Sequence, residues 1–193
     1  MSFNELEALL RQDRSVRRFQ QNREVERPLL ERLVSLTRLC ASGRNAQPLK
    51  YRPVCTPAEC ADLYPLLKWA GYYTDWDGPA EGERPAAYLV QCLDTEIAKD
   101  PLCDDGLQLQ AITLGATALG LRGCIIKAFN APALAELLGL PAHLEPRYVL
   151  ALGYPAEEPL LEPLPPTGDF RYHRDAQGRH CVPKRPLADL LIP

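Results

Sequence analysis

The spacing of apolar positions changes several times along the chain, and each change marks an element. Leu6, Leu9 and Leu10 fall on one side of a helix near the start. Ser2-Phe3-Asn4-Glu5 has the form of a capping box, in which Ser2 and Glu5 satisfy the first free amides. Pro28 opens a second helix, with Leu29, Leu30, Leu33, Val34 and Leu36 at helical spacing. Residues 49–55 read as a strand, and Pro53, which lacks a ladder donor, places that end at a sheet edge. Thr56-Pro57-Ala58-Glu59 caps a third helix that runs toward Trp69 with a kink at Pro65. A Gly/Pro/acidic loop over 76–85 leads into a short apolar strand over 87–93. Residues 104–121 carry the strongest helical signal. Asp104 and Asp105 complement the dipole, and apolar residues follow nearly all round, which places this helix in the middle of the protein. Strands are expected at 123–126 and 148–152, separated by a short helix that Asn130 caps and Gly139 ends.

After Gly153 the periodicity stops. Eight of the 19 prolines fall in this final stretch, so it reads as an extended segment lying on the outside of something. Its aromatic and basic residues (Phe170, Tyr172, Lys184, Arg185) favour docking over disorder.

Composition narrows the function classes. With 46% hydrophobic and 24% charged residues among 193, the chain suits one globular domain with an appendage. Twenty-two Lys+Arg against 25 Asp+Glu leave a charge of −3, which gives no pull toward nucleic acid or an anionic membrane. There is no run of about 18 apolar residues for a membrane span, and the polar start (Asn4, Glu5, Glu7) does not read as a signal peptide. Seven cysteines without a C-x-x-C pair point to reduced thiols and a cytoplasmic location. Only three histidines are present, so no metal centre is expected.

Four places can carry chemistry. Arg14-Ser15-Val16-Arg17-Arg18-Phe19 offers guanidiniums and a hydroxyl that can grip a phosphate, or cations that simply complement a helix C-terminus. Ser42-Gly43-Arg44-Asn45-Ala46-Gln47-Pro48 can present donors and acceptors to a planar heterocycle, or stabilise an ordinary turn. Leu119-Gly120-Leu121-Arg122-Gly123-Cys124 lets backbone approach a flat ligand, or is a plain helix cap; it is not a dinucleotide fingerprint. Pro183-Lys184-Arg185-Pro186 holds two cations between prolines. Cys124 has no histidine near it in sequence and reads as a buried thiol.

In this order along the chain, the four places resemble the FMN-dependent nitroreductase family. Leu67-Lys68-Trp69-Ala70-Gly71-Tyr72, Gly78-Pro79-Ala80-Glu81-Gly82-Glu83-Arg84-Pro85 and Ala151-Leu152-Gly153-Tyr154-Pro155 extend the resemblance toward a small-sized branch of that family. It implies an α+β fold, a three-layer α-β-α sandwich with a central mixed sheet. Residues 1–155 would form the FMN-binding core, and 156–193 an extended C-terminal arm of the same domain that packs on a dimer partner. It also implies a homodimer with FMN at the interface. Arg14, Ser15 and Arg17 would hold the phosphate and ribityl end, and Ser42, Asn45 and Gln47 the pyrimidine edge and ribityl chain. The backbone of Leu121, Arg122 and Gly123 would line the ring near its reactive N5, with Lys184 and Arg185 as further cations at the phosphate. Lys68, Arg44 and Arg122 are candidates for a cation near flavin N1 and O2 or on the substrate side. Asp13 stands where the family often has arginine, and Arg122 where glycine is common; the latter could narrow the pocket or attract an anionic substrate.

The implied activity is oxidoreduction. Hydride would pass from NADH or NADPH to flavin N5 and then, in ping-pong order, to a nitroaromatic, quinone or similar small acceptor, with no catalytic residue on the protein itself. The alternatives are a non-turnover flavin-binding or storage protein, and a flavin-dependent reductive enzyme of another specialised type.

Overall fold

The computed structural model describes residues 1–192; Pro193, the last residue assigned above to the arm, lies outside the described residues. Helix α1 (Phe3–Gln12) begins at Ser2, with both halves of the capping box formed. Helix α2 (Arg27–Ser35) carries its proline in the first turn. Strand β1 (Leu49–Val54) is followed by α3 (Pro57–Leu63), where Thr56 accepts from the Glu59 amide. The α-helix ends at Leu63, and one 3₁₀ turn, Tyr64–Leu66, takes its place. This is shorter than the kinked helix to Trp69 expected above, because Pro65 has no amide to continue the ladder and the chain turns away.

Strand β2 (Ala87–Asp94) is buried along its whole length. Helix α4 (Asp104–Ala118), strand β3 (Arg122–Ile126), helix α5 (Ala131–Leu137) and strand β4 (Leu144–Gly153) complete the core. Helix α4 stops three residues earlier than its apolar pattern. Gly120 takes a left-handed φ of 79°, its amide donates to Thr117 O, and the Leu121 amide reaches back to Ala116 O. This is a Schellman end, and Leu121 and Ala116 close it by packing in the same core cluster.

The four strands are ordered β1-β2-β4-β3, and β1 is an edge strand, as Pro53 requires. Successive β2 residues face opposite layers. Tyr88, Val90 and Cys92 join Leu63 and Leu134 from α3 and α5; Ala87 and Leu89 join Leu30, Leu33, Leu109, Ile112 and Ala116 from α2 and α4. This makes the expected α-β-α sandwich. Each fully buried Leu or Phe in it contributes about 1.5–3 kcal/mol.

The expectation of a mixed central sheet is corrected. Every neighbouring pair in it is antiparallel. Strands β2 and β3 do run the same way, joined by α4, but β4 is inserted between them. The chain from β3 passes through α5 and returns as β4 directly beside β3, paired antiparallel from Arg122–Gly153 to Ile126–Val149. The expectation for α4 also changes: Gly106, Leu107, Gln110 and Ala118 are exposed. A helix apolar nearly all round presents more apolar surface than one side of the sheet can cover.

The arm is folded, not simply extended. Strands β5 (Leu160–Pro163), β6 (His173–Arg174) and β7 (His180–Lys184) form a small sheet in the order β5-β7-β6. Its one parallel pairing, β5 with β7, is the only parallel pairing among the described residues. The alternation in these strands is too short to show as a period. The sheet rests on its own chain through Tyr172 and His180, which pack against Tyr73.

Candidate functional site

The segment after α1 is stitched into the core by backbone bonds. The Val16 amide donates to Gly123 O (3.0 Å), Phe19 to Glu83 O (2.8 Å) and Gln20 to Tyr154 O (2.8 Å), while Ala156 donates to Arg18 O (2.9 Å). The first and third places therefore lie side by side. Arg14, Ser15 and Gly123 line one cavity of about 150 Å³ with Ile125. Arg14 donates to Leu10 O (3.0 Å), the contact expected of a cation at a helix C-terminus, yet its Nε is buried without a partner. Lys184 of β7 approaches it. Burial first, and the Arg14 charge second, hold the Lys184 amine below its ordinary value. Two like charges are thus brought together, and neither forms an ion pair among the described residues.

Asp13 lines the same cavity, so the corner holds a carboxylate beside Arg14. Its carboxylate is buried against α4, where it accepts from the Thr113 hydroxyl (2.8 Å) and from the Gln110 amide.

Arg17 departs from the expected grip. Its guanidinium is buried beneath the arm, with Nη1 2.9 Å from His180 Nε2 and its carbon 4.3 Å from the centre of the Tyr172 ring. Guanidinium has only donors, so His180 Nε2 accepts and the imidazole is neutral. Burial first and the Arg17 charge second push His180 down to about 4. Tyr73 bonds the other ring nitrogen, and Glu157 accepts the Arg17 amide (2.7 Å) while pairing with Arg174 (2.9 Å). An aromatic-lined acceptor under the arm therefore takes the guanidinium that alternation alone would leave beside Ser15.

The second place is a strained loop. Arg44, Asn45 and Gln47 have φ of 54°, 55° and 50°, a left-handed run that non-glycine residues rarely adopt. Such strain collects at functional sites and costs about 1–3 kcal/mol per residue. Ser42 holds the loop: its hydroxyl donates to Asp104 Oδ2 (2.5 Å) and accepts from the Gln47 amide (2.9 Å), while Gly43 donates to Asp104 Oδ1 (2.8 Å). The Gln47 side chain bonds Asn45, and Arg44 is exposed. Asp104 starts α4 and Thr113 lies nine residues on, so this loop and the Arg14 corner are separated by about 13 Å along the helix. Within one chain they do not share a cavity.

The remaining candidates scatter. The Leu121 side chain is fully buried, leaving only its backbone near the corner. Arg122 folds onto Leu121 O (2.7 Å) and lines, with Arg11 and Arg14, a wider cleft of about 780 Å³. Lys68, exposed, is held by its amide to Ala128 O (2.9 Å), past the far end of β3 from Arg122. Arg185 is 3.9 Å from Asp189, an exposed ion pair within the tail.

A family model described as the Nitroreductase family matches residues 96–154, from the end of β2 through β4. Among solved structures, a nitroreductase family protein from Clostridium difficile 630 is 25% identical, with a TM-score of 0.61 over 81% of this chain and 86% of that one. Nitroreductase A from Vibrio parahaemolyticus is also 25% identical, with a TM-score of 0.67 over 85% and 73%. This is a nitroreductase-family fold. An FMN-dependent nitroreductase from Clostridium difficile R20291 shares it at 21% identity, with a TM-score of 0.65 over 78% and 87%.

Within this nitroreductase fold, sequence reasoning missed His180, Tyr73 and the anchoring role of Asp104, and had Tyr172 only as a docking residue of the arm. Strand alternation carried a usable signal, since it puts His180 and Lys184 on the same side of β7.

Proposed function

We propose that the chain is an FMN-dependent oxidoreductase that uses NADH or NADPH and reduces a nitroaromatic, quinone or similar small acceptor in ping-pong order. The observation that carries this is the cavity that Arg14, Ser15 and Gly123 line in a nitroreductase fold, with the Lys184 charge of β7 felt at Arg14. An orphaned buried guanidinium nitrogen and a neighbouring ammonium fit a phosphate dianion, which would relieve both the missing partner and the like-charge contact. Ser15 adds a hydroxyl donor, and Gly123, whose missing side chain would run into Leu150 and Leu152 of β4, contributes backbone to the wall. Bound FMN supplies hydride acceptance and donation at N5; the protein supplies placement and charge.

The Ser42, Asn45 and Gln47 loop, some 13 Å away along α4, reaches the same ligand if it comes from a second copy whose α4 runs antiparallel to the first. The open face of α4 supports this, as do exposed Leu187, Leu190, Leu191 and Ile192 in the tail. The reading is therefore a homodimer with FMN between subunits, each arm also meeting the partner. Arg44 and Lys68, both away from the phosphate corner, are the cations left for flavin N1 and O2 or for substrate. All seven cysteines are free, which suits the cytoplasm.

The test is a spectrum and a titration. Purified protein is expected to be yellow, to bind FMN and to consume NADPH with menadione. Arg14→Ala should weaken FMN binding about 10- to 100-fold, the loss expected of a charged hydrogen bond. A colourless monomer that ignores added FMN refutes the reading.

A further inference from the structure

The three strands of the arm each carry a metal-ligating side chain, and the register brings them to one face. Cys181 of β7 stands directly opposite His173 of β6 and opposite Leu160 of β5. Glu162 lies two residues beyond Leu160, so it emerges on the face that Cys181 occupies. The thiol sulfur, an imidazole nitrogen and a carboxylate oxygen all lie within 4.8 Å of one another, and Glu162 Oε1 is 3.7 Å from His173 Nε2. Neighbouring ligands around a tetrahedral zinc ion sit about 3.3–3.8 Å apart, so small side-chain rotations close this triangle without moving the backbone.

We propose that Glu162, His173 and Cys181 bind a zinc ion that staples the arm, with water in the fourth position. Thiolate, imidazole and carboxylate together select zinc or cobalt over magnesium and calcium. The fourth position has room: Glu162 and His173 form part of the wall of a cavity of about 360 Å³, which Tyr72, Thr167 and Tyr172 also line. Strands of four, two and five residues make few ladder bonds with one another, and an ion bonded to all three would cross-link them. On binding, the Cys181 S–H bond breaks and its proton leaves to solvent while a zinc–sulfur bond forms. His173 and Glu162 contribute lone pairs, and nothing is oxidised or reduced. The Arg179 guanidinium does not oppose the ion freely, because it is bonded to Asp175 (2.7 Å). The other cluster of this kind, Asp94, Glu96 and His143, has no thiol, and the Lys50 ammonium lies 4.0 Å from Asp94.

The site is independent of the flavin reading, and its test needs no activity. Full-length protein, stripped with a chelator, is titrated with zinc against a chromogenic chelator, and separately with cobalt. One tight equivalent is expected, and the cobalt form should show thiolate-to-cobalt charge-transfer absorption. Cys181→Ser and His173→Gln should each weaken binding at least about 100-fold, and Glu162→Gln about tenfold. Cys181→His, which keeps a ligand, should retain zinc but lose the charge-transfer band; this separates loss of a ligand from loss of fold. His143→Gln and Cys103→Ser should bind as the parent does. Absence of a saturable equivalent overturns the proposal, and so does binding that survives Cys181→Ser or disappears in His143→Gln.

Discussion

His180 makes the stability of the arm depend on pH, with a sign that follows from its surroundings. The ring is 1% exposed, and its neighbours are Arg17, Arg174, Glu157, Tyr73, Tyr172 and His173. Burial and Arg17 hold it near 4, against an ordinary value of 6.5. Between those values the unfolded chain binds a proton that the folded chain refuses. The stabilisation is therefore complete above about pH 6.5 and is lost as the pH falls toward 4. For one group with these two values, the linkage relation gives a loss of about 2 kcal/mol between about pH 7.5 and pH 5, and about 3 kcal/mol in full. Carboxylates also titrate at the acid end, so the quantity to measure is a difference. Urea unfolding of the parent and of His180→Gln at several pH values isolates it, because the common titrations cancel. The parent should lose about 2 kcal/mol relative to the variant over that interval. A gap that stays constant to within about 0.5 kcal/mol would show that the ring does not stand neutral beside Arg17.

Two further outcomes are expected. Ser42→Ala removes a donor from the buried Asp104 carboxylate and the acceptor of the Gln47 amide, and should cost about 1.5–3 kcal/mol in urea unfolding; a cost below about 0.5 kcal/mol would mean that the strained loop is held by something else. Cys124 is buried, and burial pushes its thiol up, so it is no nucleophile; Cys124→Ser should keep NADPH consumption within about a hundredfold of the parent, and a larger loss would give the sulfur a role.

Local rules reached far in this chain. Capping at Ser2, Thr56 and Asn130, prolines in first turns and the edge position of Pro53 were all legible because each depends on a few neighbouring residues. So were the apolar strand that became β2 and the stop after α4, except that the apolar run past Gly120 hid the exact end; that β2 faces two layers was visible only in the structure. The order of the four candidate places was also legible, and with it the nitroreductase-like architecture.

What the sequence by itself determined is thus the set of elements and the residue types available at the Arg14 corner. Only the tertiary structure decided which of them meet. Arg14, Ser15 and Gly123 come together because the Val16 amide pairs with Gly123 O. Arg17 leaves them because a buried neutral imidazole and an aromatic ring, more than 150 residues away in sequence, offer its guanidinium a better-desolvated partner. The strand directions in the central sheet and the folding of the arm belong to the same class. They rest on contacts between distant segments, whose energies no local pattern of apolar and polar residues encodes.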